Sequence, residues 1–87
     1  DSVKIDRQQV ELDALGLAVR AVRAGRWLSQ EELASRAGLS RNYVGAVERG
    51  DASPSYIAVL AIAEALRTTL SELVVYAERI KRGELPV

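Results

Sequence analysis

The sequence predicts an all-α chain of five helices. Three observations carry that expectation. Alanine, leucine, glutamate and arginine dominate the 87 residues, and these residues lose least on entering a helix. Apolar positions recur three and four apart, while two-residue alternation is never sustained. Serines that open short stretches are answered by glycines that close them, which is the punctuation of helices rather than of strands.

The first helix is expected from about Asp13 to Ala24, with Leu15, Val19 and Val22 at helical spacing. Its start is open. Asp6 could equally cap a longer helix beginning at Arg7, because the stretch DRQQVELDALG holds no strong breaker except Gly16. Residues 1–12 are therefore an N-terminal arm or a helix extension. Gly25 ends the helix, and Arg26-Trp27 form a basic, aromatic connector in which Trp27 is expected to shield the core.

Ser29 with Glu32 three residues later is a capping box, in which each side chain satisfies the other residue's free backbone N–H. Leu33, Ala34 and Ala37 then form the buried side of helix two, and Gly38 suits the left-handed position that ends it. Ser40 caps helix three, with Val44 and Val47 inward and Gly50 as its stop, so this helix covers about residues 40–49. After the loop DASP, Ser55 precedes a fourth helix from Tyr56 to Leu66. Ser71 is expected to cap a fifth helix reaching about Lys81, with a frayed polar end ERIKRGELPV.

Composition narrows the function. With 48% hydrophobic and 28% charged residues and two prolines, the chain is one small folded domain. It has no cysteine and no histidine, so disulfides, thiolate nucleophiles, imidazole bases and the usual zinc sites are excluded, and no cofactor is expected. The longest apolar run, Tyr56 to Ala63, is too short to span a bilayer, and a cytoplasmic protein is the expectation. No methionine is present, initiator included, so the residues are a processed product or a piece of a longer protein. The zero net charge hides an uneven distribution: residues 20–49 hold six arginines against three glutamates, while residues 1–19 hold four acids against two bases. The middle third is locally basic, and local field is what meets a partner.

Two short helices joined by a glycine-containing turn form a helix-turn-helix, which leaves the second helix proud of the surface. The stretch LSQEELASRAGLSRNYVGAVERG, followed by SP and LAIAEAL, resembles the lambda-repressor-like helix-turn-helix family of the Cro/C1 or XRE type over roughly residues 14–74. Members are usually sequence-specific DNA-binding regulators, commonly dimers on palindromic operators, and include phage repressors, restriction–modification controller proteins and antitoxins. The resemblance implies a DNA-binding domain over residues 13–76, with 77–87 as the end of helix five and a tail. No catalytic role follows from it.

Residue roles follow from the resemblance. Gln30 would reach a phosphate from the first turn of helix two. Ser40, Arg41 and Asn42 open the recognition helix, Arg41 suiting the O6/N7 edge of guanine and Asn42 the N6/N7 edge of adenine. Tyr43 would reach a phosphate or a thymine methyl, or pack on helix two instead. Gly45 and Ala46 would face the groove where relatives often carry longer residues, and Arg49 is expected on a phosphate. Arg23 and Glu48 each sit on an otherwise apolar stripe, which is read as a structural ion pair between helices one and three.

Helix four carries one charge, Glu64, and is apolar nearly all round. Val59, Leu60, Ala63 and Leu66 are assigned to the core, leaving Ile57, Ala58, Ala61 and Ile62, with Val74 and Val75 of helix five, for a two-fold homodimer interface. Partners are thus double-stranded DNA and a second copy, with no membrane. The competing reading keeps the fold and makes the helix-four face a docking surface for a protein partner, as in an antitoxin.

Overall fold

The computed structural model describes the backbone of residues 2–85 and the side chains of residues 7–85. Five helices follow in order: α1 (Ser2–Gly25), α2 (Gln30–Ala37), α3 (Arg41–Glu48), α4 (Tyr56–Ala65) and α5 (Leu70–Lys81). Among the described residues there is no strand. Helix α1 packs on α5 and α3, α2 on α3 and α4, and α4 on α5, giving a body of 36 × 25 × 19 Å. No helix among the described residues is long and apolar enough to cross a membrane.

The start of α1 lies at Ser2, far ahead of the expected Asp13 and ahead also of Arg7. Side chains on this added length reach the rest of the fold. Gln9 donates through Nε2 to the Gly50 carbonyl and to the Asp13 carboxylate, each at 2.8 Å, and Lys81 Nζ lies 2.7 Å from a Glu11 carboxylate oxygen. Gly16, the one weak point of this helix, has a packing role. A Cβ there would run into the carbonyl oxygens of Val47 and Glu48, so its missing side chain lets α1 pass directly against the end of α3.

Caps set the other starts. Ser29 Oγ accepts the Glu32 N–H at 3.0 Å while Glu32 accepts the Ser29 N–H at 2.9 Å, and Gly38 closes α2 at φ 70. Ser40 Oγ accepts the Tyr43 N–H and Ser55 Oγ the Ala58 N–H, both at 3.1 Å. The cap of α5 is Thr69, not Ser71. Thr69 has Glu72 three residues on to complete a second capping box, whereas Ser71 has Val74, which can return no hydrogen bond. The bonds from Ser29 hold Glu32 below the usual carboxylate range, and those from Thr69 do the same for Glu72.

Every helix contributes to one core, whose fully buried large side chains are Val19, Leu33, Val44, Val47, Ile62, Leu66 and Leu73. Ile62 therefore does not belong to a dimer surface, and Leu60, expected inside, is only half-buried. The reason is helical phase. Val59, Ile62, Ala63 and Leu66 fall three and four apart on one side of α4, and Leu60 lies about a third of a turn away.

Trp27 does not shield the core: it is 92% exposed and sits at φ 61. The left-handed residue after α1 is thus Trp27 and not Gly25, a geometry that costs a residue with a β-carbon roughly 1–2 kcal/mol. At the far end the chain past α5 is tied rather than loose, because Arg82 and Arg79 place Nε 2.6 Å and 3.4 Å from the two Glu84 carboxylate oxygens. Residues 86–87 of the expected tail lie outside the described residues.

Arg23 and Glu48 meet through two bonds, Nε to Oε2 at 2.6 Å and Nη2 to Oε1 at 3.0 Å, while Nη1 donates to the Leu28 carbonyl at 2.8 Å. Glu48 is 7% exposed and is the one buried charged residue among those described. Replacing Arg23 with methionine is expected to lower unfolding stability by about 3–5 kcal/mol, because the carboxylate stays buried without its cation, and adding Glu48→Met should recover much of that loss. Urea unfolding of the two variants checks it, and a single-variant loss below ~1 kcal/mol would mean a solvated pair. In the same assay Gly16→Ala should cost about 1–3 kcal/mol, although alanine favours a helix, because the backbones must separate. A variant as stable as the parent would contradict the close approach.

Candidate nucleic-acid interface

The first turn of α2 carries Gln30, half-buried, with Nε2 3.0 Å from Glu48 Oε1. A carboxylate only accepts, so this bond turns the nitrogen end of the carboxamide toward Glu48 and leaves one of its two N–H groups unspent. Glu48 thereby joins α1, α2 and α3 at one point. The hydrogen bond to Glu48 leaves the Arg23 guanidinium more basic than usual, with the charge of Glu48 acting the same way and burial opposing both.

At the start of α3, Ser40, Arg41 and Asn42 are exposed. The Ser40 oxygen is engaged by the Tyr43 N–H, which leaves its hydroxyl hydrogen available. Among the described residues neither Arg41 nor Asn42 makes a side-chain hydrogen bond, and their own backbone N–H groups belong to the first turn, which has no intrahelical acceptors. Tyr43 is half-buried and packs against the core cluster. By their spacing Arg41, Asn42, Gly45, Ala46 and Arg49 share one side of α3.

That side differs from the sequence expectation at Gly45, which is buried rather than open. Arg49 and Gln30 lie over it: a Cβ at Gly45 would stand 3.1 Å from Arg49 Nη1 and 3.7 Å from Gln30 Oε1. Arg49 also donates through Nε to Asp51 Oδ2 at 2.9 Å. Neither the Gln30–Glu48 bond nor the Arg49–Asp51 pair is readable from spacing, although the i, i+2 placement of opposite charges at 49 and 51 is a weak local signal.

The six arginines of the basic middle third divide by what they touch. Arg23 is spent on Glu48, Arg49 is held by Asp51 through Nε alone, and Arg26 donates to the Leu66 carbonyl at 2.9 Å, where the negative end of α4 lies. Arg20, Arg36 and Arg41 have no hydrogen-bonded carboxylate among the described residues. Arg20 borders a shallow cleft with Asp13, Leu17, Glu48 and Arg49 beside α3.

On α4 and α5, Ile57 is 68% exposed, Tyr56 64%, Val75 51% and Val74 43%, while Ala58 and Ala61 are half-buried. Of the six expected interface positions, all but Ile62 therefore keep accessible surface. A surface groove of about 600 Å³ runs between α1 and α5 past Ala21, Val22, Val75 and Tyr76, with no residue of α3 in its lining. Among the described residues no three metal-ligating side chains converge.

A family model described as Helix-turn-helix matches residues 19–73. The control protein C.SmaI of Serratia marcescens is 40% identical over 55 residues, 63% of this chain and 66% of that protein. The immunity repressor protein of Bacillus phage phi105 is 38% identical over 60 residues, 69% of this chain but 42% of the repressor. The chain thus spans less than two thirds of the length of these two relatives. Among solved structures, the restriction–modification controller protein C.AhdI from Aeromonas hydrophila superposes with a TM-score of 0.70 at 44% identity, over 71% of this chain and 94% of that one. The clp gene regulator ClgR from Corynebacterium glutamicum gives a TM-score of 0.82 at 26% identity, over 85% and 79%. With that model matched over more than half of this chain, and with the capped helix pair on a five-helix body, the chain belongs to the Cro/C1 (XRE-type) helix-turn-helix family of DNA-binding regulators.

Proposed function

We propose that the chain regulates transcription by binding a near-palindromic operator in double-stranded DNA as a homodimer, with α3 of each copy in the major groove. The observation that carries this reading is the start of α3. Arg41 and Asn42 stand exposed and uncommitted on a helix whose direction is fixed by a serine cap on one side and a buried ion pair on the other. Arg41 has the fork to take O6 and N7 of a guanine, and Asn42 the paired donor and acceptor for an adenine. The unspent N–H of Gln30 and the Ser40 hydroxyl suit phosphate oxygens on either side of the groove. The methyl of Ala46 and the exposed part of Tyr43 suit a thymine methyl. The names borne by the relatives, a repressor and two controller proteins, support regulation as the outcome of binding.

The apolar side formed by Ile57, Ala58 and Ala61 of α4 with Val74 and Val75 of α5 is the proposed two-fold interface. Exposed aliphatic side chains at neighbouring positions gain by leaving water together. A dimer through this side would set two copies of α3 about one DNA turn apart, ~34 Å, and two-fold symmetry would then require inverted half-sites. No cofactor is needed for such binding.

Selection from random duplex DNA is expected to enrich an inverted repeat, with affinity falling steeply as salt rises. Arg41→Ala should weaken binding to the selected site by ~1–3 kcal/mol and relax the base choice at one position in each half. Failure to enrich any sequence would sink the reading. Sedimentation equilibrium tests the interface: the parent should be dimeric at micromolar concentration, and Ile57→Asp with Val74→Asp should give monomers that keep their helical spectrum. A parent that stays monomeric while copurifying with a different protein would favour the protein-docking alternative.

A further inference from the structure

Gly45 leaves a gap in the middle of the DNA-facing side of α3, and Arg49 fills it. Its guanidinium does not extend away from the helix toward a flanking strand. It folds back, so that Nη1 stands 3.1 Å from where a β-carbon of Gly45 would be, next to the Gln30 carboxamide. The Nε edge is held by Asp51 at 2.9 Å.

We infer that Arg49 is a second base-reading residue, oriented by Asp51 and given its room by Gly45, and that it takes a guanine close to the one assigned to Arg41. This rests on the DNA-binding reading above and specifies it further. Three physical points carry it.

Donors come first. A guanidinium has five N–H groups, and Asp51 takes only the one on Nε, so both hydrogens on Nη1 and on Nη2 remain. That end of the fork is a bidentate match for O6 and N7 of guanine.

Charge comes next. A phosphate brought to this guanidinium would stand near the Asp51 carboxylate, anion against anion, whereas guanine offers neutral acceptors that the carboxylate does not repel. The Arg49–Asp51 pair is well exposed, with side chains 64% and 62% accessible, and such a pair adds little to stability. Its consequence is directional: it restricts where the fork points.

Position comes last. Gly45 lies four residues from Arg41, roughly 6 Å along the helix at 1.5 Å per residue. With base pairs spaced by ~3.4 Å, the guanine under the folded-back fork lies about two base-pair steps from that of Arg41. Neither Gly45 nor Ala46 has a longer side chain to compete for those edges.

The test measures the affinity of the full chain for the selected site and for every single-base change in one half-site, across a salt series, for the parent, Arg41→Ala, Arg49→Ala, Asp51→Ala and Gly45→Leu. Helical content and thermal midpoints confirm that each variant is folded. Arg49→Ala is expected to erase a guanine preference of roughly 5- to 150-fold at one position about two steps from the Arg41 position, with the salt slope unchanged. Asp51→Ala should weaken the same preference several-fold and leave the others intact, and Gly45→Leu should displace the fork and reproduce Arg49→Ala. A uniform loss for all sequences, with the salt slope lower by ~0.9, would make Arg49 a phosphate contact and overturn the assignment. So would an Arg49→Ala variant indistinguishable from the parent on a site where Arg41→Ala relaxes base choice. A parent that selects no sequence overturns the DNA-binding reading itself, and this assignment with it.

Discussion

One buried carboxylate sets the geometry on which the rest depends. Glu48 receives Arg23 from α1 and Gln30 from α2 while belonging to α3. An eight-residue helix has too few internal hydrogen bonds to persist by itself, so the direction of α3 must be imposed by its neighbours. Apolar packing of Val44 and Val47 holds the helix down but is tolerant of small rotations, because dispersion has no direction. The two Arg23 bonds are directional, and they fix the far end of α3 about its own axis. That rotation decides which side chains leave the surface at Arg41 and Asn42.

The backbone approach of α1 adds a second constraint at the same place. Gly16 passes the carbonyl oxygens of Val47 and Glu48, and Gly50, at φ 76, turns the chain where Asp13 and Gln9 lie against it. Polar contacts are therefore concentrated where α3 ends, and apolar contacts along its length. Its start is left to a single serine cap and to solvent. A long α1 then carries the arrangement across the domain to α5, through the Glu11–Lys81 pair and the core around Val19 and Leu73.

Local punctuation was legible in the sequence, and side-chain direction was not. Ser29, Gly38, Ser40, Gly50 and Ser55 mark boundaries because capping and left-handed closure involve residues within a turn of one another. Thr69 obeys the same rule as Ser29, since both have a glutamate three residues later, a partner that Ser71 lacks. Leu60 and Ile62 exchange their expected sides because α4 is apolar almost all round, where composition gives no preferred side. The roles of Gly16 and Gly45 depend on what approaches from elsewhere in the chain. A glycine in a helical stretch reads as a weakness until the neighbour that needs the space is seen. The Glu48 pairing with Arg23 announced itself as charges on apolar stripes, but Gln30 gave no such sign, because an amide at a helix start is unremarkable.

Trp27 has an optical consequence. It is the sole tryptophan, and its indole is already almost wholly in water in the folded chain. Unfolding therefore changes its surroundings little, so its emission is nearly silent about whether the domain is folded. What would change that emission is a surface laid over residue 27, and the fluorophore built into this protein is consequently a reporter of contact rather than of conformation.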